Sequence, residues 1–164
     1  MKILIFTEGT ILTHKNWVEL EREEVVRRIR DGINPDLIYF KASVPIGNSV
    51  GKIRKWAGQG AEIVYLTSRR KREEIAAIQS VLDAFGFPKG ELLFRTGSES
   101  YGEVASRERP DMLIEDDCES IGGESEMTYP HLTPAVKHRV KSIVVKEFLG
   151  IDGLPDSIPE LLRY

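Results

Sequence analysis

Short apolar runs alternate with segments of helical periodicity along the chain. The runs cover residues 3–6, 62–66, 92–94, 112–114 and 142–145. Each is too short for a helix, and most are rich in Ile, Val, Leu or Phe, as buried parallel strands are. The pattern therefore predicts an α/β fold, a three-layer sandwich around a five-stranded parallel sheet with right-handed crossovers.

Apolar residues at helical spacing predict the helices between these strands. Residues 71–85 carry such a stripe, and Gly86 follows as a helix stop. Further helices are predicted near residues 47–58 and 98–107, and a short closing helix begins after Ser157, a suitable N-cap. The order of elements is strand then helix, repeated.

Residues 12–44 do not fit this alternation. Residues 19–30 have the pattern of a charged amphipathic helix, and Asn34-Pro35-Asp36 interrupts the chain soon afterwards. Placed directly after the first strand, this segment would cover the carboxyl ends of the strands, so we interpret it as a small helical cap. The alternative is an ordinary crossover helix with a long loop. At 164 residues, the whole chain is expected to form a single domain, 1–164, with 12–44 as its insertion.

Composition and charge exclude several classes of partner. The chain has 23 Lys and Arg against 26 Asp and Glu, and its net charge of -3 leaves no basic excess for a nucleic acid polymer. No apolar run reaches membrane-spanning length, and no signal-peptide pattern precedes the first strand. Cys118 is the single cysteine and cannot form an intrachain disulfide. We expect a reducing, cytoplasmic setting.

Polar residues follow four of the predicted strands at their carboxyl ends, where open parallel sheets bind ligands. They are Thr7 and Glu8 after the first, Thr67 and Ser68 after the second, Arg95 and Thr96 after the third, and Glu115, Asp116 and Asp117 after the fourth. Carboxylates bind Mg²⁺, which prefers oxygen ligands, while hydroxyls, backbone N–H groups and arginine bind phosphoryl oxygens. The set predicts a site for a phosphate ester held by a divalent cation.

Each of these residues also has a plainer explanation. The acidic run 115–117 can be a solvated loop, and Ser68 can cap the helix that starts near residue 71. Arg95 can pair with Glu99 on the surface, four residues further on. We favour the site because four strands direct polar groups to the same edge of the sheet.

Three segments, in this order, resemble motifs of the haloacid dehalogenase-like (HAD) superfamily, whose members are mostly Mg²⁺-dependent phosphatases. Where that family has Asp-x-Asp-Gly-Thr after its first strand, this chain has Phe6-Thr7-Glu8-Gly9-Thr10. The strand that ends in Ser or Thr is matched by Leu66-Thr67-Ser68, and the strand that ends in an acidic pair is matched by Ile114-Glu115-Asp116-Asp117. The resemblance implies a Rossmann-like sheet with strand order 3-2-1-4-5.

The resemblance also implies roles for individual residues. Phosphate binding would fall to Gly9, Thr10, Thr67, Ser68 and Arg95, the last of these taking the place of the family's third-motif Lys or Arg. Mg²⁺ would be held by Asp116, assisted by Asp117 or Glu115.

The chain departs from the family at the position of the nucleophile. The family's first Asp attacks phosphorus and binds the metal, and Phe6 stands there. A phenyl ring can do neither, so the covalent route is closed and Mg²⁺ affinity should be weakened. Glu8 occupies the position of the second Asp and can act as a general acid or base. Thr7 would be a substitute nucleophile only if the turn re-aimed its hydroxyl.

Together these features predict a divergent phosphatase-type protein that binds Mg²⁺ and a small phosphorylated molecule, with weak or altered ester hydrolysis. A nucleotide or sugar phosphate is the first substrate class that the resemblance suggests. The alternative is a non-catalytic module that binds a phosphorylated ligand or a protein partner, and Phe6 is the feature that favours it.

Overall fold

The computed structural model describes residues 1–33 and 42–164, which form an α/β sandwich around a parallel sheet. The strands are β1 (Lys2–Phe6), β2 (Leu12–His14), β3 (Ser43–Pro45), β4 (Glu62–Leu66), β5 (Leu92–Leu93), β6 (Met112–Asp116) and β7 (Lys141–Val145). The helices are α1 (Arg22–Arg30), α2 (Ser49–Gly58), α3 (Arg72–Phe85), α4 (Tyr101–Glu108), α5 (Pro134–Lys137) and α6 (Ile158–Leu161). Within the described ranges, no helix is long and apolar enough to cross a membrane.

The main sheet has five strands in the order β5-β4-β1-β6-β7. Counted as the first to fifth apolar runs of the sequence, this is the predicted order 3-2-1-4-5. Central strand β1 pairs in parallel with β4 along its whole length and with β6 from Ile3 to Ile5. All five strands therefore end at the same edge of the sheet.

The side chains of β1 alternate between the two faces of the sheet and pack into two separate hydrophobic cores. Ile3 and Ile5 pack on the face covered by α2 and α3, while Leu4 faces the core that includes α4. Successive side chains of a strand point to opposite faces, so a strand buried on both sides must be apolar throughout. Trp56 is the largest fully buried side chain, and its Nε1 donates to the carbonyl of Pro155 at 3.0 Å.

The segment predicted as an insertion begins and ends in a small antiparallel pair, in which Leu12 of β2 faces Pro45 of β3. Helix α1 begins at Arg22 and buries Val25 and Val26. The predicted break at Asn34-Pro35-Asp36 lies outside the described residues. The interpretation of this segment as a cap remains a prediction.

Most predicted helices are confirmed, and their ends follow local capping. Gly86 ends α3 at φ +70°, the left-handed conformation that glycine adopts without penalty, and Ser157 caps α6. Helix α4 begins three residues later than predicted because Ser100 and Glu103 form a capping box.

Glycine at position 102 is required by close packing in the first turn of α4. A Cβ atom there would lie 2.2 Å from the carbonyl oxygen of His131, which is backbone and cannot move aside. We expect Gly102→Ala to lower the free energy of unfolding by about 1–3 kcal/mol. Gly58→Ala is the matched control, because a Cβ at Gly58 meets nothing within 4 Å. Urea denaturation of both variants checks this, and equal stability of the two would contradict it.

Candidate functional site

A cavity of about 340 Å³ lies at the carboxyl edge of the sheet. Its lining includes Glu8, Ser68, Arg95 and Asp116, each located at or just after the end of a different strand. Side chains far apart in the sequence therefore share one cavity, as the parallel topology predicts.

The carboxylate of Glu8 accepts four hydrogen bonds. The donors are the hydroxyls of Thr7 (2.8 Å) and Thr67 (2.6 Å), the backbone N–H of Ser68 (3.0 Å) and Nε of Arg69 (3.2 Å). We refer to the last three donors, at the end of β4, as the anion cradle. Hydroxyl, backbone N–H and guanidinium groups suit an anion with several oxygens. In this structure they hold a carboxylate of the chain itself.

The structure changes the interpretation of two residues at the end of β4. Ser68 does not cap the next helix, because α3 begins at Arg72 with Lys71 in the N-cap position. Arg69 was not predicted as a site residue, although it contacts Glu8 and lines the cavity. Its position directly after Ser68 was visible in the sequence, but the direction of its side chain was not.

Three carboxylates form a compact group beside the cavity. Asp116, Asp117 and Glu147 each offer an oxygen, and these oxygens lie within 4.8 Å of one another. Glu147 was missed by sequence analysis. The available signal was its place two residues after β7, the strand for which no polar end was considered. Hard oxygen donors at this spacing fit Mg²⁺, which is commonly held by one or two carboxylates and several waters.

Glu115 is not part of this acidic group. Its two oxygens accept from the backbone N–H groups of Thr128 (2.6 Å) and Tyr129 (2.8 Å). Adjacent residues of a strand point to opposite faces, so Glu115 and Asp116 cannot both face the cavity. The prediction of Glu115 as a metal ligand is corrected accordingly. The alternative of a solvated acidic loop is also wrong, because Glu115 is 2% and Asp116 3% exposed.

Burial shapes the ionisation of the acidic group. Burial raises the pKa of Asp116 to about 6, despite hydrogen bonds from the Thr10 hydroxyl (2.7 Å) and the Cys118 N–H (3.0 Å). Burial also raises the pKa of Glu147. For Asp117, burial acts in the same direction, but hydrogen bonds from Lys146 and the Glu147 N–H outweigh it and lower the pKa. A divalent cation among these groups would favour their charged forms.

The turn after β1 is held close to the acidic group. Gly9 has φ +79°, and a Cβ there would lie 2.8 Å from Oδ2 of Asp116, so only glycine fits. Thr10 was predicted to bind substrate, but its buried hydroxyl donates to Asp116 and positions that carboxylate.

Thr7 was considered as a substitute nucleophile. A carboxylate base is next to its hydroxyl, since Glu8 accepts from it, which the sequence did not reveal. Thr7 is nevertheless fully buried. The turn therefore does not re-aim its hydroxyl towards a ligand.

Phe6 and Arg95 both contact the ring of Tyr101. The Phe6 ring lies edge-on to Tyr101 with centroids 5.2 Å apart, and the guanidinium carbon of Arg95 lies 3.7 Å above the Tyr101 ring. Glu99 pairs with Arg107 instead of Arg95, so the surface-pair alternative for Arg95 is not found among the described residues. All three side chains line the cavity.

No protein-family model matches the chain, and no curated protein matches it. Its fold is similar to that of a class C acid phosphatase from Bacillus anthracis with tungstate bound, with a TM-score of 0.56 and 15% identity over 91% of this chain and 68% of that chain. A HAD family hydrolase from Deinococcus radiodurans R1, with bound phosphate and sodium, matches 90% of this chain and 91% of its own, with 9% identity and a TM-score of 0.47. At 15% identity the likeness to the acid phosphatase concerns the fold alone.

Asp116→Asn tests the electrostatic cost of the acidic group. The pKa of Asp116 is about 6 in the folded protein and 3.8 ordinarily, so the folded protein binds this proton more readily than the unfolded chain does. Lowering the pH from 6 to 3.8 therefore favours folding. Above pH 6 the buried charge costs up to about 3 kcal/mol, at 1.4 kcal/mol per pKa unit. Without divalent cations, Asp116→Asn should therefore be more stable than wild type at pH 7.5, and the gain should shrink towards pH 4.

Asp117→Asn is the matched control, since the pKa of Asp117 is lowered and its stabilising effect is present at neutral pH and lost on acidification. Asp117→Asn should thus be less stable than wild type at pH 7.5. Thermal denaturation between pH 4 and 8 measures both variants. An Asp116→Asn protein that is destabilised equally at pH 4.5 and 7.5 would contradict this account.

Proposed function

We propose that the protein binds a small phosphorylated molecule at this edge of the sheet, together with Mg²⁺, and hydrolyses the ester weakly. The observation that carries the proposal is the anion cradle, which already holds a carboxylate in a cavity that Asp116 and Glu147 also line. A nucleotide or sugar phosphate is the first class suggested by the resemblance, and the lone cysteine fits a cytoplasmic setting.

The residues of the chain divide into two sets. The Thr67 hydroxyl, the Ser68 N–H and the guanidinium groups of Arg69 and Arg95 bind phosphoryl oxygens. Asp116, with Asp117 and Glu147, holds Mg²⁺, which would supply positive charge opposite the phosphoryl oxygens when bound.

Glu8 and a phosphoryl group compete for the same donors. A phosphate in the anion cradle requires the Glu8 carboxylate to turn away, since the Thr67 hydroxyl has a single proton to donate. Released in this way, Glu8 becomes available as the general base towards a water molecule. Binding of the phosphoryl group would thus release the Glu8 carboxylate at the same time.

The second candidate function is binding without catalysis, and the position of Phe6 favours it. Its ring lines the cavity where the family has its nucleophile. In this hypothesis the same donors bind a phosphorylated ligand that is not turned over.

A phosphatase panel with MgCl₂ tests the first proposal. We expect slow phosphate release by the wild type, loss of the Mg²⁺ dependence in Asp116→Asn, and a decrease of about 100-fold in kcat for Glu8→Gln, which removes the base. Glu91→Gln, an exposed residue just before β5 and so at the opposite edge of the sheet, is the control and should behave as wild type. Activity that survives both site substitutions unchanged would show that the site is wrong.

Phe6→Asp distinguishes the two candidate functions. An aspartate here places a carboxylate in the cavity at the end of β1, and we expect turnover to rise above that of the wild type. The contact with Tyr101 is lost, at a cost of about 0.5–1.5 kcal/mol, so thermal denaturation must first show that the variant is folded. A folded Phe6→Asp protein without activity favours binding without catalysis.

A further inference from the structure

Four aromatic rings line the cavity in two edge-to-face pairs. Phe6 meets Tyr101 edge to face, and Trp17 meets Phe148 in the same way with ring centroids 5.7 Å apart. These rings come from the end of β1, the start of α4, the turn after β2 and the loop after β7. Segments distant in the sequence thus each bring a ring to one cavity, and such walls suit a flat apolar group.

Phe148 is held in an unusual backbone conformation. Its φ is +63°, which a residue with a bulky side chain rarely adopts, and its N–H donates to the carbonyl of Gly9 at 2.7 Å. Left-handed backbone at a non-glycine residue persists only where its surroundings enforce it, and it is concentrated at ligand sites. The result here is a ring placed against Trp17 on the wall of the cavity.

Two buried donors in the same walls lack hydrogen-bond partners among the described residues. They are Nε1 of Trp17, whose residue is 9% exposed, and Nε of Arg95. Burying a donor without a partner is unfavourable. An anionic oxygen on a ligand would provide the missing acceptor.

We propose that the ligand carries an aromatic ring next to its phosphate, so that the substrate class is an aryl phosphomonoester. This inference rests on the proposed function and narrows it. A volume of about 340 Å³ lies at the lower end of the range for small-molecule sites, roughly 300–1,000 Å³. The hydroxyls of a sugar would lose hydrogen bonds to water against these rings, whereas an aromatic ring would not.

Calorimetric titration with phenyl phosphate, glucose 6-phosphate and inorganic phosphate, each with MgCl₂, tests the proposal. Phe148→Gly is the informative variant, because glycine keeps the left-handed backbone without strain while the ring is removed. Leu149→Ala is the control, since Leu149 is adjacent but 64% exposed. Thermal denaturation confirms that each variant is folded.

We expect the wild type to bind phenyl phosphate at least about tenfold more tightly than glucose 6-phosphate. Phe148→Gly should weaken phenyl phosphate binding about 5–10-fold and leave inorganic phosphate binding unchanged, while Leu149→Ala matches the wild type. Equal affinity for the two esters in the wild type, or a preference that survives Phe148→Gly, would overturn the aromatic assignment while the proposed function stands.

Benzyl alcohol separates failure of the inference from failure of the proposed function. If inorganic phosphate does not bind, ligand-observed NMR with benzyl alcohol measures the aromatic part alone. Binding that is lost in Phe148→Gly would then support an aromatic ligand without a phosphate group. Absence of binding by both phosphate and benzyl alcohol would overturn the inference together with the proposed function.

Discussion

Strand β1 lies between β4 and β6, and all three run in parallel, so the segments that leave them emerge at the same edge of the sheet. The backbone N–H of Thr7 extends this pairing by donating to the Leu66 carbonyl at 2.9 Å. This pairing fixes Glu8 beside the anion cradle of β4 and brings the turn at Gly9 close to Asp116 of β6. The contacts of Glu8 and the position of Gly9 at the site depend on that register.

The site keeps opposite charges in balance over a short distance. Arg69 and neutral donors hold Glu8, whereas the negative charge of the acidic group is compensated mainly at its least buried member, Asp117, by Lys146. Asp116 lies deeper and has its pKa raised by burial. Burial raises the pKa of both Asp116 and Glu147, so their charged forms weaken folding at neutral pH when no cation is bound. The arrangement is understandable if a cation and an anionic ligand bind together.

Short apolar runs were sufficient to predict the strands, because strands buried on both faces have few alternatives, whereas the predicted strand order rested on the resemblance to the HAD superfamily. They did not reveal which residue at a strand end faces the cavity, since a shift of one position exchanges Glu115 for Asp116. Glu147 was missed because the polar residues after β7 were not considered. The aromatic walls were beyond sequence analysis, because Trp17 and Phe148 meet only through tertiary structure and a left-handed residue.

A crystal structure of the wild-type protein grown with MgCl₂ and phosphate tests the central claim most directly. The account predicts an anion bonded to the Ser68 N–H and the Thr67 hydroxyl, a displaced Glu8 carboxylate, and a metal ion bound to Asp116. Glu8 still seated in the anion cradle, with phosphate or metal bound only elsewhere, would contradict it.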